Sequence, residues 1–348
     1  MKRIISLVLC IVLVFSLCSF LTGCDDRITI NVYNVGDYID EEVITLFEEE
    51  YPHIKVNYET FYSNEEMYVK VKNNITSYDV TFPSDYMVER MIAEDLLLKI
   101  DFDNLPNYKY IGEEYKNLDY DPTGEYSVPY MWGTMGILYN EDMVDKEDMD
   151  SWDAIYNPKY KNKIFMLDSE RDMVSITLKS LGYSMNSYDE KELVEAENKL
   201  VEQKEIVRAY CGDEVKDKMI AGEAAITLAW SGDAFYCMDY NDSLRYSVPK
   251  EGSNLWFDNM VIPKFSKHKK EAELFIDFLC RPDIAKMNTD YIGYSTANAA
   301  ARDSLPEEIK NDDLRYPDLS KLNNFEIFAY NPELSKRYSK LWQRVKVR

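Results

Sequence analysis

Ile28-Thr29-Ile30-Asn31-Val32-Tyr33 decides the architecture, because its side chains alternate: Ile28, Ile30 and Val32 face one way, Thr29, Asn31 and Tyr33 the other. A period of two is the mark of a β-strand. Val43, Ile44 and Phe47 follow at helical spacing and stop before Pro52, after which Ile54, Val56 and Tyr58 alternate again. Ser63 and Glu66 have the spacing of a capping box, which predicts a second helix. Residues 78–82 read as a third short strand, closed by Pro83. Strand, helix, strand, helix, strand is the rhythm of a parallel sheet wrapped by helices, where ligands meet the loops at the carboxyl ends of strands. The loops 34–38 and 84–86 fall at those ends.

Downstream the rhythm changes. Residues 130–139 are apolar and interrupted only by Gly133 and Gly136, so they read as a strand crossing from one lobe to another, and 254–263 read as a second crossing. Between them lie a strand at 164–167, helices near 173–181 and 190–203, and a strand at 225–230. Ala272, Phe275, Ile276 and Leu279 give the helix at 269–280 one apolar face. Residues 306–348 read as helical and polar. A mature chain of roughly 325 residues is too long for one compact core. The expected fold is α/β and two-lobed, each lobe a mixed sheet flanked by helices, with a ligand in the interlobe cleft. The boundaries are a leader at 1–23, a first lobe from 24–133 and 257–302, and a second from 134–256 and 303–348. Closure of the lobes around the ligand is the expected motion.

The leader has Lys2 and Arg3 before an apolar run over 4–21, broken only by Ser6, Ser16 and Ser19. Leu21-Thr22-Gly23-Cys24 follows, then Asp25 and Asp26. This resembles a bacterial lipobox, in which the leader is cut before the cysteine and Cys24 is lipidated. Two or three acyl chains would then hold the protein on the outer face of the cytoplasmic membrane. An ordinary export signal with an incidental cysteine is the alternative, and it also places the protein outside the cytoplasm, in the periplasm.

The 348-residue chain carries 63 acidic against 40 basic residues, a net charge of −23. Such a balance disfavours nucleic acid and anionic lipid as partners and favours a cationic ligand. Cys10 and Cys18 belong to the leader, so Cys211, Cys237 and Cys280 are left, an odd number. A Cys211–Cys237 disulfide and buried thiols are both open. His53 and His268 stand far apart, and no nucleophile elbow, zinc-helix or phosphate-loop motif occurs, so neither an enzyme nor a cofactor is expected.

Several segments read together as one family. They are Tyr33-Asn34-x-x-Asp37-Tyr38, Ser63-Asn64-Glu65-x-Met67-Tyr68, Pro83-Ser84-x-Tyr86 and Tyr130-x-Trp132-Gly133-Thr134 in the first half. In the second are Trp230-Ser231-Gly232-Asp233, Trp256-x-Asp258 and Ile292-Gly293-Tyr294-x-Thr296. In order and spacing, over the whole mature chain, they resemble the spermidine/putrescine-binding proteins of ABC-type importers. The resemblance implies a periplasmic-binding-protein fold, an amine held in the cleft and permease subunits in the membrane as partners.

It also implies the site. Tyr38, Tyr86, Trp230, Trp256 and Tyr294 would form aromatic walls, with Ser84 hydrogen-bonding beside Tyr86. Asp258 would be the central carboxylate, Asp172 would hold one terminus, and Glu326 falls near a position where the family usually has Gln. Val35 stands where spermidine-binding members commonly place a tryptophan, and Ser169 where some have an aspartate. Asp233 matches the putrescine-binding branch. These residue types suit the ligand. Alkylammonium groups arrive charged, with a free pKa of about 10.4. They need paired carboxylates once desolvated, and aromatic faces cover the methylenes while adding roughly 0.5–2 kcal/mol of cation–π attraction.

The alternatives are a receptor of the same fold for an amino acid, a sugar or ferric iron, a lipid-anchored hydrolase, or an adhesion lipoprotein. An amino acid would need an arginine for its carboxylate, and Arg171 beside Asp172 keeps that option open. A guanidinium projecting into the cleft is the feature that would count against a polyamine.

Overall fold

The computed structural model describes residues 27–212, 214–322 and 324–347. The leader and Cys24 lie outside them. No helix among the described residues is long and apolar enough to cross a membrane.

β1 (Ile28–Val35) pairs in parallel with β2 (Ile54–Phe61) and with β3 (Val80–Thr81). The helix Glu41–Glu50 joins β1 to β2, is capped by the Asp40 side chain accepting from the Glu42 amide, and buries Val43 and Phe47. The helix Asn64–Lys72 joins β2 to β3. Its Ser63 hydroxyl accepts the Glu66 amide at 3.2 Å, as a capping box requires, but the Glu66 carboxylate takes the Tyr62 amide at 3.1 Å rather than that of Ser63.

β4 (Ser127–Asn140) is buried along all its 14 residues, which explains its unbroken apolar run. β5 (Ile164–Leu167) pairs in parallel with β6 (Val207–Cys211) and with β7 (Ile226–Trp230), while β8 (Leu244–Ser247) and β7 run antiparallel to β4. β9 (Leu255–Val261) and β10 (Ser295–Thr296) also run antiparallel to β4. The strand order is β2-β1-β3-β9-β4-β7-β5-β6, with β8 and β10 off that path. Residues 127–134 of β4 pair with β9 and residues 135–139 with β7, so this one strand changes partners at its middle.

Two apolar cores flank that change. One gathers Ile30, Phe47, Trp132, Phe257 and Phe275; the other gathers Met135, Trp152, Ile176, Leu228 and Trp342. Leu305 and Tyr316 belong to the first and Phe328 and Leu334 to the second. The chain therefore passes from the first core to the second between 316 and 328. The expectation of a helical tail over 306–348 is corrected. Among the described residues only the short helix Glu307–Lys310 and the helix Pro332–Val347 form there, apart from a single 3₁₀ turn, because Pro317 and the Asp and Asn turn residues between them break the pattern. Pro332–Val347 is amphipathic, burying Leu334, Tyr338, Leu341, Trp342 and Val345. The strand β6, the helices Val215–Ile220 and Ser231–Tyr240, and β8 went unread in the sequence. Cys211, Cys237 and Cys280 are all free and buried.

Gly136 of β4 lies closely under β8. A Cβ there would lie 2.5 Å from the Ser247 carbonyl oxygen and 2.6 Å from the Tyr246 ring. Gly136→Ala is expected to cost about 1–3 kcal/mol by overpacking, read as a lower urea midpoint at unchanged slope. An unchanged midpoint would contradict this packing.

Candidate functional site

β9 brings Trp256 and Asp258 to one face of the sheet, two residues apart. Asp258 stands opposite Met131 of β4 on one side and forms a lone bridge to Ser84 on the other. Its two carboxylate oxygens are held separately. The Tyr38 hydroxyl donates to one and the Ser84 hydroxyl to the other, each at 2.6 Å. Among the described residues no lysine or arginine pairs with it. Burial raises the Asp258 carboxyl above the usual range, and the Ser84 and Tyr38 hydrogen bonds restrain that rise.

Both donors are themselves fixed. Tyr38 sits in the loop after β1, where Asp37 turns the chain in the left-handed region at φ 53°. Its carbonyl accepts from the Asn34 amide group at 3.1 Å and the Tyr130 hydroxyl at 3.0 Å. Burial pushes its hydroxyl well above the tyrosine range, so it remains a proton donor. Ser84 occupies the cap position of the helix Asp85–Ala93 but makes no side-chain cap bond, since its hydroxyl is used on Asp258. Asn64 grips Ser84 twice, donating to its Oγ at 3.1 Å and accepting its amide at 3.0 Å.

The aromatic groups close round from the far side. Tyr294 meets Tyr38 edge to face at 5.7 Å and Trp256 at 5.1 Å. Trp256, 7% exposed, donates its indole N–H to the Thr134 carbonyl at 3.4 Å. Two glycines make room. A Cβ on Gly133 would fall 2.5 Å from the Trp256 ring, and one on Gly232 would fall 1.4 Å from Tyr294 Cδ1. The segment Trp230-Ser231-Gly232 of the second half thus packs on Tyr294, and the Ser231 hydroxyl accepts the Thr134 amide at 3.3 Å. Trp230 ends β7, half-buried, one residue before this contact.

The remaining candidates sit differently. Asp233 pairs with Lys216 at 3.3 Å. Glu326 is engaged by Lys179 at 2.8 Å, by the Ser184 hydroxyl and by the Met185 amide, so its charge serves a bridge inside the second half. Asp172 is buried, and burial pushes its carboxyl up to about 6 against the pull of Ser169 and Arg171. Tyr86 donates its hydroxyl to Glu65 at 3.2 Å, and the Arg171 guanidinium covers its ring at 3.7 Å from the centroid and lies 5.5 Å from that of Phe328. One face of Tyr86 is therefore already occupied by a cation. The guanidinium that would count against a polyamine is present; it follows Glu170 and precedes Asp172 in the chain, and its charge opposes the rise of the Asp85 and Asp172 carboxyls.

Asn64, Glu65 and Asp85 were not read as site residues. Each lay in or beside a quoted motif, Asp85 between Ser84 and Tyr86, but nothing in a linear sequence says which way it turns. Among the described residues no group of three or more His, Cys, Asp or Glu side chains is arranged to hold a metal ion.

The chain is similar to known proteins over most of its length. A model of the bacterial extracellular solute-binding proteins matches residues 42–316. The spermidine/putrescine-binding periplasmic protein of Escherichia coli (strain K12) is 36% identical over 323 residues, 92% of either chain. The crystal structure of a spermidine/putrescine ABC transporter substrate-binding protein from Streptococcus pneumoniae superposes with a TM-score of 0.82 at 43% identity, covering 92% of this chain and 99% of that one. A putative spermidine/putrescine ABC transporter structure from Listeria monocytogenes gives 0.87 at 42% identity, covering 91% and 98%.

Gly232→Ala tests the aromatic arrangement, because Tyr294 must swing away from a new methyl group. It is expected to lower stability by about 1–3 kcal/mol and to alter the near-ultraviolet circular dichroism of the ring cluster. A variant with wild-type stability and spectrum would show that Tyr294 does not rest on Gly232.

Proposed function

The chain belongs to the bacterial extracellular solute-binding proteins, in the spermidine/putrescine-binding branch, and we propose that it captures a polyamine by closing Asp258 and its aromatic surround on a charged amine. The family consists of transport receptors that work outside the cytoplasm and serve ABC importers, not of enzymes. In this reading the two cores are lobes that part and close about the mid-portions of β4 and β9, and Cys24 carries the lipid that keeps the receptor beside its permease.

Asp258 carries the reading. It is a partly buried carboxylate held by two neutral hydroxyls at 2.6 Å, and no basic side chain among the described residues pairs with it. Such a charge is costly unless a cation joins it. A primary ammonium has three donors and fits beside the two hydroxyls. Trp256, Tyr294 and Tyr38 then offer apolar faces to the methylenes. Tyr86, Asp172, Trp230 and Asp233 extend the site toward the second half, where a further amine would find Asp172 and Glu65. Asp233 reaches an amine only by giving up Lys216, and Glu326 only by giving up Lys179.

Arg171 supports a second reading, in which the ligand carries a carboxylate as well as an amine. The Tyr86 ring already covers that guanidinium, 3.7 Å from its centroid, which favours the polyamine.

Calorimetric titration of the chain without its leader separates these. Putrescine or spermidine is expected to bind saturably and lysine not to bind. Asp258→Asn is expected to weaken the amine about a hundredfold, or roughly 3 kcal/mol. Preferential binding of lysine would transfer the site to the second reading, and wild-type affinity in Asp258→Asn would remove Asp258 from it.

A further inference from the structure

Asp85 stands between Ser84 and Tyr86, and its side chain is fully buried. One oxygen accepts the Phe257 amide at 2.9 Å and the other the Tyr86 amide at 2.6 Å. Phe257 immediately precedes Asp258 in β9, and Ser84, which donates to Asp258, immediately precedes Asp85. The two acids are thus held by one pair of adjacent, bridged chain segments, Ser84–Asp85 and Phe257–Asp258. Among the described residues Asp85 forms no ion pair. An enclosed carboxylate with only two neutral amide donors is costly to charge, and a like charge next to it adds to that cost. The start of the helix Asp85–Ala93 repays only part of it.

We propose that Asp85 and Asp258 form a paired-acid ammonium site in which Asp85 keeps a proton while the protein is empty and releases it to solvent when an amine's positive charge settles at Asp258. The proposal rests on the reading of Asp258 as an amine ligand. The bound amine stays an ammonium throughout, so one cation enters and one proton leaves. Capture then costs less electrostatically than pairing one carboxylate alone, because the second becomes charged only when a cation is there to compensate it.

The groups that face Asp85 are consistent with this. They are Asp258 on β9, Arg171 on the helix Glu170–Ser180, Tyr120 from the segment before β4, and Glu65 on the helix Asn64–Lys72 by way of Tyr86. The Tyr120 hydroxyl donates to Asn259 Oδ1 at 3.0 Å and burial holds it well above the tyrosine range, so it stays neutral. Arg171 is stacked on Tyr86. Burial pushes the Asp85 carboxyl up to about 8 against the pull of the two amides; Asp258 adds to the rise and Arg171 opposes it.

The test is calorimetric titration with putrescine at pH 7.5 in phosphate and in Tris, whose different ionisation enthalpies reveal protons exchanged on binding. At this pH Asp172, with its carboxyl near 6, is already ionised and contributes little. The wild type is expected to release about half a proton or more per putrescine bound. Asp85→Asn, or Asp85→Ser if the asparagine variant does not fold, is expected to bind with release reduced to near zero. Binding by the wild type without proton release, or equal release from the wild type and the variants, overturns the proposal. Absence of polyamine binding by the wild type is a different outcome, which sinks the polyamine reading and this proposal with it.

Discussion

A negative charge held away from bulk water must be neutralised, solvated by fixed dipoles or matched by a cation, and Asp258 is supplied with only the second of these. Tyr38 and Ser84 give it one hydroxyl each. Much of the first half of the molecule serves to hold those two donors still. The parallel strands β1 and β3 deliver the loops that bear them, Asn64 and Tyr130 lock them, and β9 runs antiparallel beside β3 so that Asp258 arrives between them. Among the described residues no basic side chain pairs with Asp258, so its charge rests on those two hydroxyls.

The aromatic cluster couples that point to the second half. Tyr294 touches Tyr38 and Trp256 and lies on Gly232, at the start of a helix whose strand pairs with the far end of β4. A ligand that changes the position of Tyr294 therefore acts on both halves, which is what a receptor needs if closure is to report occupancy. Arg171 acts similarly from the other side. Its helix belongs to the second half, while the Tyr86 ring it covers sits on the helix that follows Ser84.

Much of this was legible from residue order. The alternation at Ile28–Val35 and the capping box at Ser63 belong to local physics, so the strand–helix–strand rhythm could be read directly. The Trp256-x-Asp258 spacing on a strand puts both residues on one face, and that too survived folding. The rest depends on partners remote in sequence. Glu326 meets Lys179 across 147 positions and Asp233 meets Lys216 across 17 that include the whole of β7, and no spacing rule identifies such partners. Asp85 looked like an ordinary helix-start acid; only the approach of Phe257 shows that it is enclosed beside β9. The tail over 306–348 misled because its polar composition suits an exposed helix, whereas the segment before Pro332 is pinned by side-chain bonds such as those of Asn186 to Ile327 and Ala329.

A crystal structure of the protein with putrescine or spermidine bears most directly on the central claim. The account predicts an ammonium nitrogen within about 2.7–3.2 Å of an Asp258 oxygen, with the adjoining methylenes against Trp256 and Tyr294. An amine bound with none of its nitrogens near Asp258, or seated on Asp233 or Glu326 with Asp258 left to its two hydroxyls, would contradict it.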